Sequence, residues 1–476
     1  MATPMPRRTL HGLIRQLTVP QMMALSIAGI GPFYSIFVVY GSIVQGVGTG
    51  ILWVFFIAGI IAVANGLVFS HLSRYFPLAG GGYALVRQIL GPGMGTIYVI
   101  LSILNWVLVV AAFTSPTATF INILHPVLPL VWLEILLVVV MVALSLTNVR
   151  LSGLISVIFL VIELVFVALW IVVGFTHLAL PWSVVLSWPR AVGAHRLGAP
   201  ISGAAFVAAM PAAIYSLAGY ESSIHYTEEM IHFKRIIWSV TLTAAGAAVL
   251  YMLGMPLVLL TDRHFGAVMA ASIPGESVLT HVFPGIAPLF LGYLIISSFN
   301  GGLVSYQEAS RMLMNAARDG NFGRWVGRIL GKTSASGVPW VAILVWFVPT
   351  IVVILVAQLN TIFAFTGVTI MITYVMVSGA GIWFYHKTAR QLQLKGGAFW
   401  AFPLIPAVVI VASIGVIALQ PHNYIWVSLA IIVAGAVLAM AVGRKFRPTP
   451  GEQLMAASLE AQRDGTSFDV VVGEGS

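Results

Sequence analysis

Apolar runs of about twenty residues recur along nearly the whole chain, each long enough to cross a hydrocarbon core about 30 Å thick at about 1.5 Å of rise per residue. Lipid offers no hydrogen bonds to a bare backbone, so such runs must satisfy their own peptide groups as helices. A transmembrane barrel would instead show alternating apolar and polar positions in strands of about ten residues. Residues 51–69 and 404–419 are nearly solid apolar blocks. The composition agrees, with 59% hydrophobic and 8% charged residues. A soluble fold carries roughly 25% charged residues and could not cover that much apolar surface. The expected fold class is therefore an all-α membrane protein.

Twelve crossings are predicted, near 20–45, 51–73, 94–120, 129–148, 151–175, 203–230, 236–260, 283–311, 338–357, 360–385, 400–419 and 422–443. An even number puts both termini on one side. Cytoplasmic loops should hold the Lys and Arg excess, which tests the count independently. Of the 23 basic residues, only Arg190, Arg196 and Arg263 fall in loops assigned outside; Arg74, Arg87, Arg150, Arg235, Arg311, Arg318 and Lys387 are among those inside. A missed or extra crossing would scramble that asymmetry. Arg7, Arg8 and Arg15 precede a spanning run with no small-residue cleavage site, so residues 1–19 are read as a cytoplasmic tail and not as a removed signal. Residues 444–476 form a polar cytoplasmic tail. The lack of long loops fits a multi-pass protein of a bacterial cytoplasmic membrane.

The net charge of +9 follows from this topology. Its basic residues are spread along short loops and not gathered on one face, so nucleic acid is excluded as a partner. Cysteine is absent, which removes disulfides, thiolate catalysis and Cys-ligated metals. His-Glu-x-x-His and Gly-x-Ser-x-Gly are absent as well, so no enzyme chemistry is expected. A channel would need a pore-lining ring or a filter repeat. The expected partners are the lipid bilayer and a small-molecule solute.

Two spans carry helix breakers. The first contains Ala28-Gly29-Ile30-Gly31-Pro32, and the sixth contains Pro211 followed by Ser216-Leu217-Ala218-Gly219-Tyr220-Glu221. Packing glycines and proline kinks are common singly in membrane helices. Matched interruptions in corresponding positions of two halves point to the binding site of a secondary transporter. An unwound stretch suits a zwitterion. Free N–H groups over Gly29, Ile30, Gly31 and Phe33 would hold a carboxylate, and freed carbonyls near Ile27 and Ala28 and from Tyr215 through Ser216 to Leu217 and Gly219 would hold an ammonium. Phe33, Tyr34, Tyr215 and Tyr220 stand close enough in sequence to cover it.

All four aspartates, Asp262, Asp319, Asp464 and Asp469, fall in loops or tails, so an intramembrane acid must be a glutamate. Glu163 sits about ten residues from either end of the fifth span, hence near the midplane, and Glu221 follows the second break. A bare carboxylate there costs roughly 2.5 kcal/mol or more, so each should be protonated, paired or facing water, and both are candidates for proton or cation coupling. Glu134 reads as an interfacial acid, and Glu308 as a helical i, i+3 partner of Arg311. His225 with Glu228 and Glu229 makes only a weak metal motif, and no metal or other cofactor is expected beyond H+ or Na+ as a coupling ion.

Several segments taken in order resemble one family, the amino acid-polyamine-organocation superfamily of transporters. They are Ala28-Gly29-Ile30-Gly31-Pro32-Phe33; the YFPLAGGGY run at residues 75–83; Asn148 and Gly153; Tyr215 to Glu221; Ala309-Ser310-Arg311; and Ala317-Arg318-Asp319-Gly320. The resemblance implies a LeuT-type core of two inverted five-helix repeats, at 20–175 and 203–385, with two further helices at 400–443, working by alternating access. It puts Tyr215 at an aromatic gate and Glu221 where relatives carry an acid linking the site to protonation. Relatives with a Lys in the fifth span use it in place of sodium, and Glu163 departs from that pattern. Ser297 and Ser298 sit near where sodium-coupled relatives supply hydroxyls. The expected activity is secondary transport of an amino acid or related amine, proton-coupled or by exchange, with sodium coupling or a non-transporting receptor of the same fold as alternatives.

Overall fold

A computed structural model describes residues 17–442 except 77, 79, 127, 148, 194–196, 232–234, 272, 335–336, 357 and 389–396. Both tails, 1–16 and 443–476, lie outside the described residues, as do Asn148, Arg196 and Lys234. Of the described residues, 83% are helical. Eight helical runs among the described residues are long and apolar enough to cross a membrane, and shorter apolar helices accompany them at Leu130–Ser145, Trp340–Val356 and Pro403–Ala418.

The first run covers Val19–Tyr75. At about 1.5 Å per residue its 57 residues would reach about 85 Å if straight, nearly three hydrocarbon thicknesses, so it must fold back. It comprises α1 (Val19–Ile30), α2 (Pro32–Tyr34), a π-helical turn over Ser35–Val39, α3 (Tyr40–Val47) and α4 (Ile51–Tyr75), and it reverses at the 3-10 turn Gly48–Gly50. A short α5 (Gly82–Leu90) leads into α6 (Pro92–Leu124), α7 (Leu130–Ser145) and α8 (Val149–Thr176).

One turn of helix, α9 (Ser183–Leu186), and a two-stranded antiparallel hairpin, β1 (Arg190–Val192) with β2 (Leu197–Pro200), then cap that end of the bundle. The second half begins with α10 (Gly203–Ala208) and α11 (Met210–Leu217), and passes through a 3-10 segment Ser222–Glu229 into α12 (Ile236–Leu260). Two short helices, α13 (Phe265–Ala270) and α14 (Pro274–Val282), precede α15 (Ala287–Arg318). The chain continues with α16 (Gly323–Leu330), α17 (Trp340–Val345), α18 (Phe347–Val356), α19 (Leu359–Thr388), α20 (Gly397–Ala418) and α21 (His422–Val442).

Peripheral helices turn large apolar side chains outward, among them Val161, Val165 and Val172 on α8 and Val433, Val437 and Met440 on α21. Only lipid solvates such a surface without cost. The interior is correspondingly where the polar groups are, with Ser26, Asn65, Glu163, Ser216, Ser222 and Glu308 all buried. A soluble fold would show the reverse arrangement.

Candidate functional site

The two breaks form and they touch. Helix α1 stops at Ile30 because Gly31 turns left-handed, at φ 56° and ψ 67°, a region that other residues enter only at a cost of about 1–2 kcal/mol. Pro32 follows and has no N–H to give the Ala28 carbonyl. Helix α11 stops at Leu217, Ala218 is extended at ψ 143°, and Gly219 lies at φ 115°. A Cβ on Gly219 would fall 2.6 Å from the Gly29 carbonyl carbon and 2.7 Å from the Ile30 nitrogen, so only glycine lets the two broken backbones meet. A hydrogen bond from the Ser223 N–H to Ser26 Oγ, 3.0 Å, ties the strands of this crossing together.

A cavity of ≈ 70 Å³ lies against the crossing, room for several waters or one small solute. Gly29 and Ile30 form one wall, and Tyr215, Ala218, Gly219, Glu221, Ser222 and His225 another. Ser305, Glu308 and Met312 of α15 face them. Tyr98, Asn105, Trp106 and Phe113 of α6 supply an aromatic side. Gly82, buried at the start of α5 on the side of the bundle where the described chain begins, also lines it. Away from that side the crossing is sealed by packed rings: Tyr34 lies 4.5 Å from Phe113 and Tyr215 lies 5.0 Å from Phe363, centroid to centroid. The Tyr34 hydroxyl donates to the Ala112 carbonyl at 2.7 Å and that of Tyr251 to the Ser216 carbonyl at 2.9 Å.

Of the residues expected to bind solute, Gly29, Ile30, Tyr215 and Gly219 line the cavity, whereas Ile27, Ala28, Gly31, Phe33, Ser216 and Leu217 do not. Three carbonyls expected to be free are occupied. Ile27 accepts from the Gly31 N–H at 2.9 Å, Tyr215 from the Ala218 N–H at 3.1 Å, and Ser216 from Tyr251. The Phe33 expectation is corrected too. Its ring is packed among Phe37, Phe166, Phe290 and Tyr293, and its N–H donates to Glu163 Oε1 at 3.0 Å. That bond draws Phe33 away from its helical acceptor, the Gly29 carbonyl, at the cavity wall.

Glu163 is buried behind α1, where Ser297 Oγ also donates to Oε1 at 2.9 Å. Ser298 does not join them; its hydroxyl donates back to the Leu294 carbonyl at 2.7 Å. Glu221 accepts from the Gly219 N–H at 3.1 Å and faces the cavity. So one carboxyl caps each break, from opposite sides of the crossing.

One sequence expectation fails in an instructive way. Arg311 pairs with Glu229 at 2.6 Å and stacks over Tyr226 at 4.3 Å, so Glu308 is not its helical partner and points into the cavity instead. Glu134, the fifth residue of α7, is buried and accepts from Ser115 Oγ at 2.6 Å. His225, Glu228 and Glu229 are apart in role: His225 lines the cavity while Glu229 is held by Arg311. The signal that would have found Glu308 is present in the sequence. Gly301, Ser305, Glu308 and Met312 recur at helical spacing on one face of α15.

A second ion pair, Arg87 to Asp319 at 2.9 Å, joins α5 to the end of α15. Tyr83 donates to the same carboxylate at 2.8 Å and accepts from Asn321 Nδ2 at 2.6 Å. The Tyr83 and Arg318-Asp319-Gly320 stretches are thus one structure, closing the bundle near the beginning of α1.

Apolar helices with an exposed apolar coat, a polar interior and two abutting helix breaks over an internal cavity define a membrane protein built to hold a solute. The sequence profile of the amino acid permease family matches residues 17–442, and the chain belongs to that family, within the amino acid-polyamine-organocation superfamily. No curated protein sequence matches the chain.

Proposed function

We propose that this protein is a secondary active transporter of an amino acid or related small amine, working by alternating access. Family membership already makes it an amino acid permease with a small-molecule substrate. The observation that carries the finer reading is the contact between the two breaks, Gly29–Ile30 against Gly219, with a cavity on one side and packed aromatic rings on the other. Broken helices that cross near the middle of a bundle are where transporters expose peptide groups to a solute.

The same reading takes the helical runs as twelve crossings in two inverted five-helix repeats plus two, with both tails cytoplasmic in a cytoplasmic membrane. It is supported by the placement of every apolar run in helix and by the distribution of Lys and Arg. Coupling is assigned to protons or exchange. Glu163 and Glu221 each bind a backbone N–H of one break, so gain or loss of a proton there would change how that break is held. A thermal-shift screen over amino acids and amines, followed by uptake of each hit into proteoliposomes, tests the reading, since a ligand that binds the folded state raises its melting temperature. A binder that is never carried across would leave a receptor of the same fold and remove the transporter.

A further inference from the structure

The polar character of the cavity is lopsided. Glu221 and Glu308 both line it, and among the described residues no Lys or Arg does. Glu308 is 1% exposed, and its Oε1 has no hydrogen-bond partner. A buried carboxyl oxygen left in that condition is costly unless something else completes it. The nearby cations are committed elsewhere, Arg311 to Glu229 at 2.6 Å and Arg87 to Asp319 at 2.9 Å.

The backbone donors of the two breaks are spent in the same way. The break N–H groups that would cradle a solute carboxylate are held by the protein's own acids, Phe33 by Glu163 and Gly219 by Glu221. What the broken backbone leaves for a solute is acceptor capacity, beside the Ser222 hydroxyl and the His225 ring, which can donate as well as accept. The Phe33 N–H that a continuous helix would give the Gly29 carbonyl is held by Glu163, and the Ser222 hydroxyl stands beside Gly29 and near the Glu308 carboxyl. The rings of Tyr98 and Trp106 complete a wall of the kind that favours cations.

Resting on the transport reading above, we propose that the solute is a net-positive amine, a diamine or a basic amino acid, whose charged nitrogen sits between Glu308 and Glu221. An ammonium has three donors and no acceptor, which is what Glu308 Oε1, the Gly29 carbonyl and the Ser222 hydroxyl call for. A neutral zwitterion offers one ammonium to two acids and brings a carboxylate with it, whereas a basic amino acid offsets its carboxylate with a second cation and a diamine brings none. An acidic solute would be worse.

The test is a thermal-shift and uptake panel on the purified full-length protein with putrescine, lysine, leucine and glutamate. Putrescine and lysine should raise the melting temperature and enter proteoliposomes, while leucine and glutamate at equal concentration should do neither. In Glu308→Gln the apparent affinity for putrescine should fall at least tenfold; if that variant does not fold, Glu221→Gln is read in the same way. A shift with leucine or glutamate and none with putrescine or lysine overturns the proposal and leaves transport of another solute standing. No shift with any of the four also overturns it. Binding of putrescine that depends on Glu308, without uptake, upholds the site and sinks the transport reading instead.

Discussion

Gly219→Ala should be among the most damaging single-methyl changes available in this protein. Two costs add. At φ 115° an alanine sits in backbone territory open to glycine, at about 1–3 kcal/mol. Its methyl carbon would also stand 2.6 Å from the Gly29 carbonyl carbon and 2.9 Å from the Gly29 oxygen. Those neighbours are backbone and cannot swing aside as a side chain would, so α1 and α11 must separate, and overpacking of this kind costs about 1–3 kcal/mol. The total of about 2–6 kcal/mol is large against a typical stability of about 5–15 kcal/mol. Gly246→Ala is the matched control. Gly246 lies within α12 with no atom within 4 Å of its new methyl, and it should gain about 1 kcal/mol of helix propensity. Melting temperatures in detergent would place Gly219→Ala several degrees below wild type and Gly246→Ala at or above it. Equal melting temperatures for the two variants would refute the claim that the breaks are pressed together.

Arg311→Met leaves Glu229 buried without its cation and should cost about 3–5 kcal/mol, whereas adding Glu229→Leu should recover much of that loss; a melting-temperature cycle in which the double variant is no better than the single would contradict the pairing. Glu163→Gln keeps an acceptor for the Phe33 N–H and the Ser297 hydroxyl but cannot titrate, so folding should survive while the pH dependence of uptake flattens; an unchanged pH profile removes Glu163 from coupling. The Tyr215 hydroxyl is buried without a well-aligned hydrogen bond, its neighbour Tyr34 donating instead to the Ala112 carbonyl, so Tyr215→Phe should leave the melting temperature unchanged or raised, and a drop of several degrees would show that the hydroxyl is bonded within the protein.

Much of this architecture was legible because the bilayer imposes it. An apolar run of spanning length must be helical, and α12 was predicted at 236–260 and found at Ile236–Leu260. The breaks were legible for a local reason, since Gly31 with Pro32, and Gly219, announce backbone that cannot continue as helix. Which groups at a break stay free is not local. The Phe33 N–H finds Glu163 130 residues away, and Ser216's carbonyl finds Tyr251. Partner choice misled in the same way at Arg311, whose helical neighbour Glu308 lost to Glu229, 82 residues distant in sequence. The hairpin between Arg190–Val192 and Leu197–Pro200 had no alternating pattern to reveal it, because its seven strand residues are half-buried or exposed on both faces.

Counterflow probes the transport cycle with the least dependence on how it is driven. Proteoliposomes loaded with an unlabelled amine that binds the protein should draw in labelled amine well above unloaded proteoliposomes and protein-free liposomes, and Gly219→Ala should abolish the excess. Labelled amine entering loaded, unloaded and protein-free vesicles alike would contradict the account that two meeting helix breaks carry a solute across the membrane.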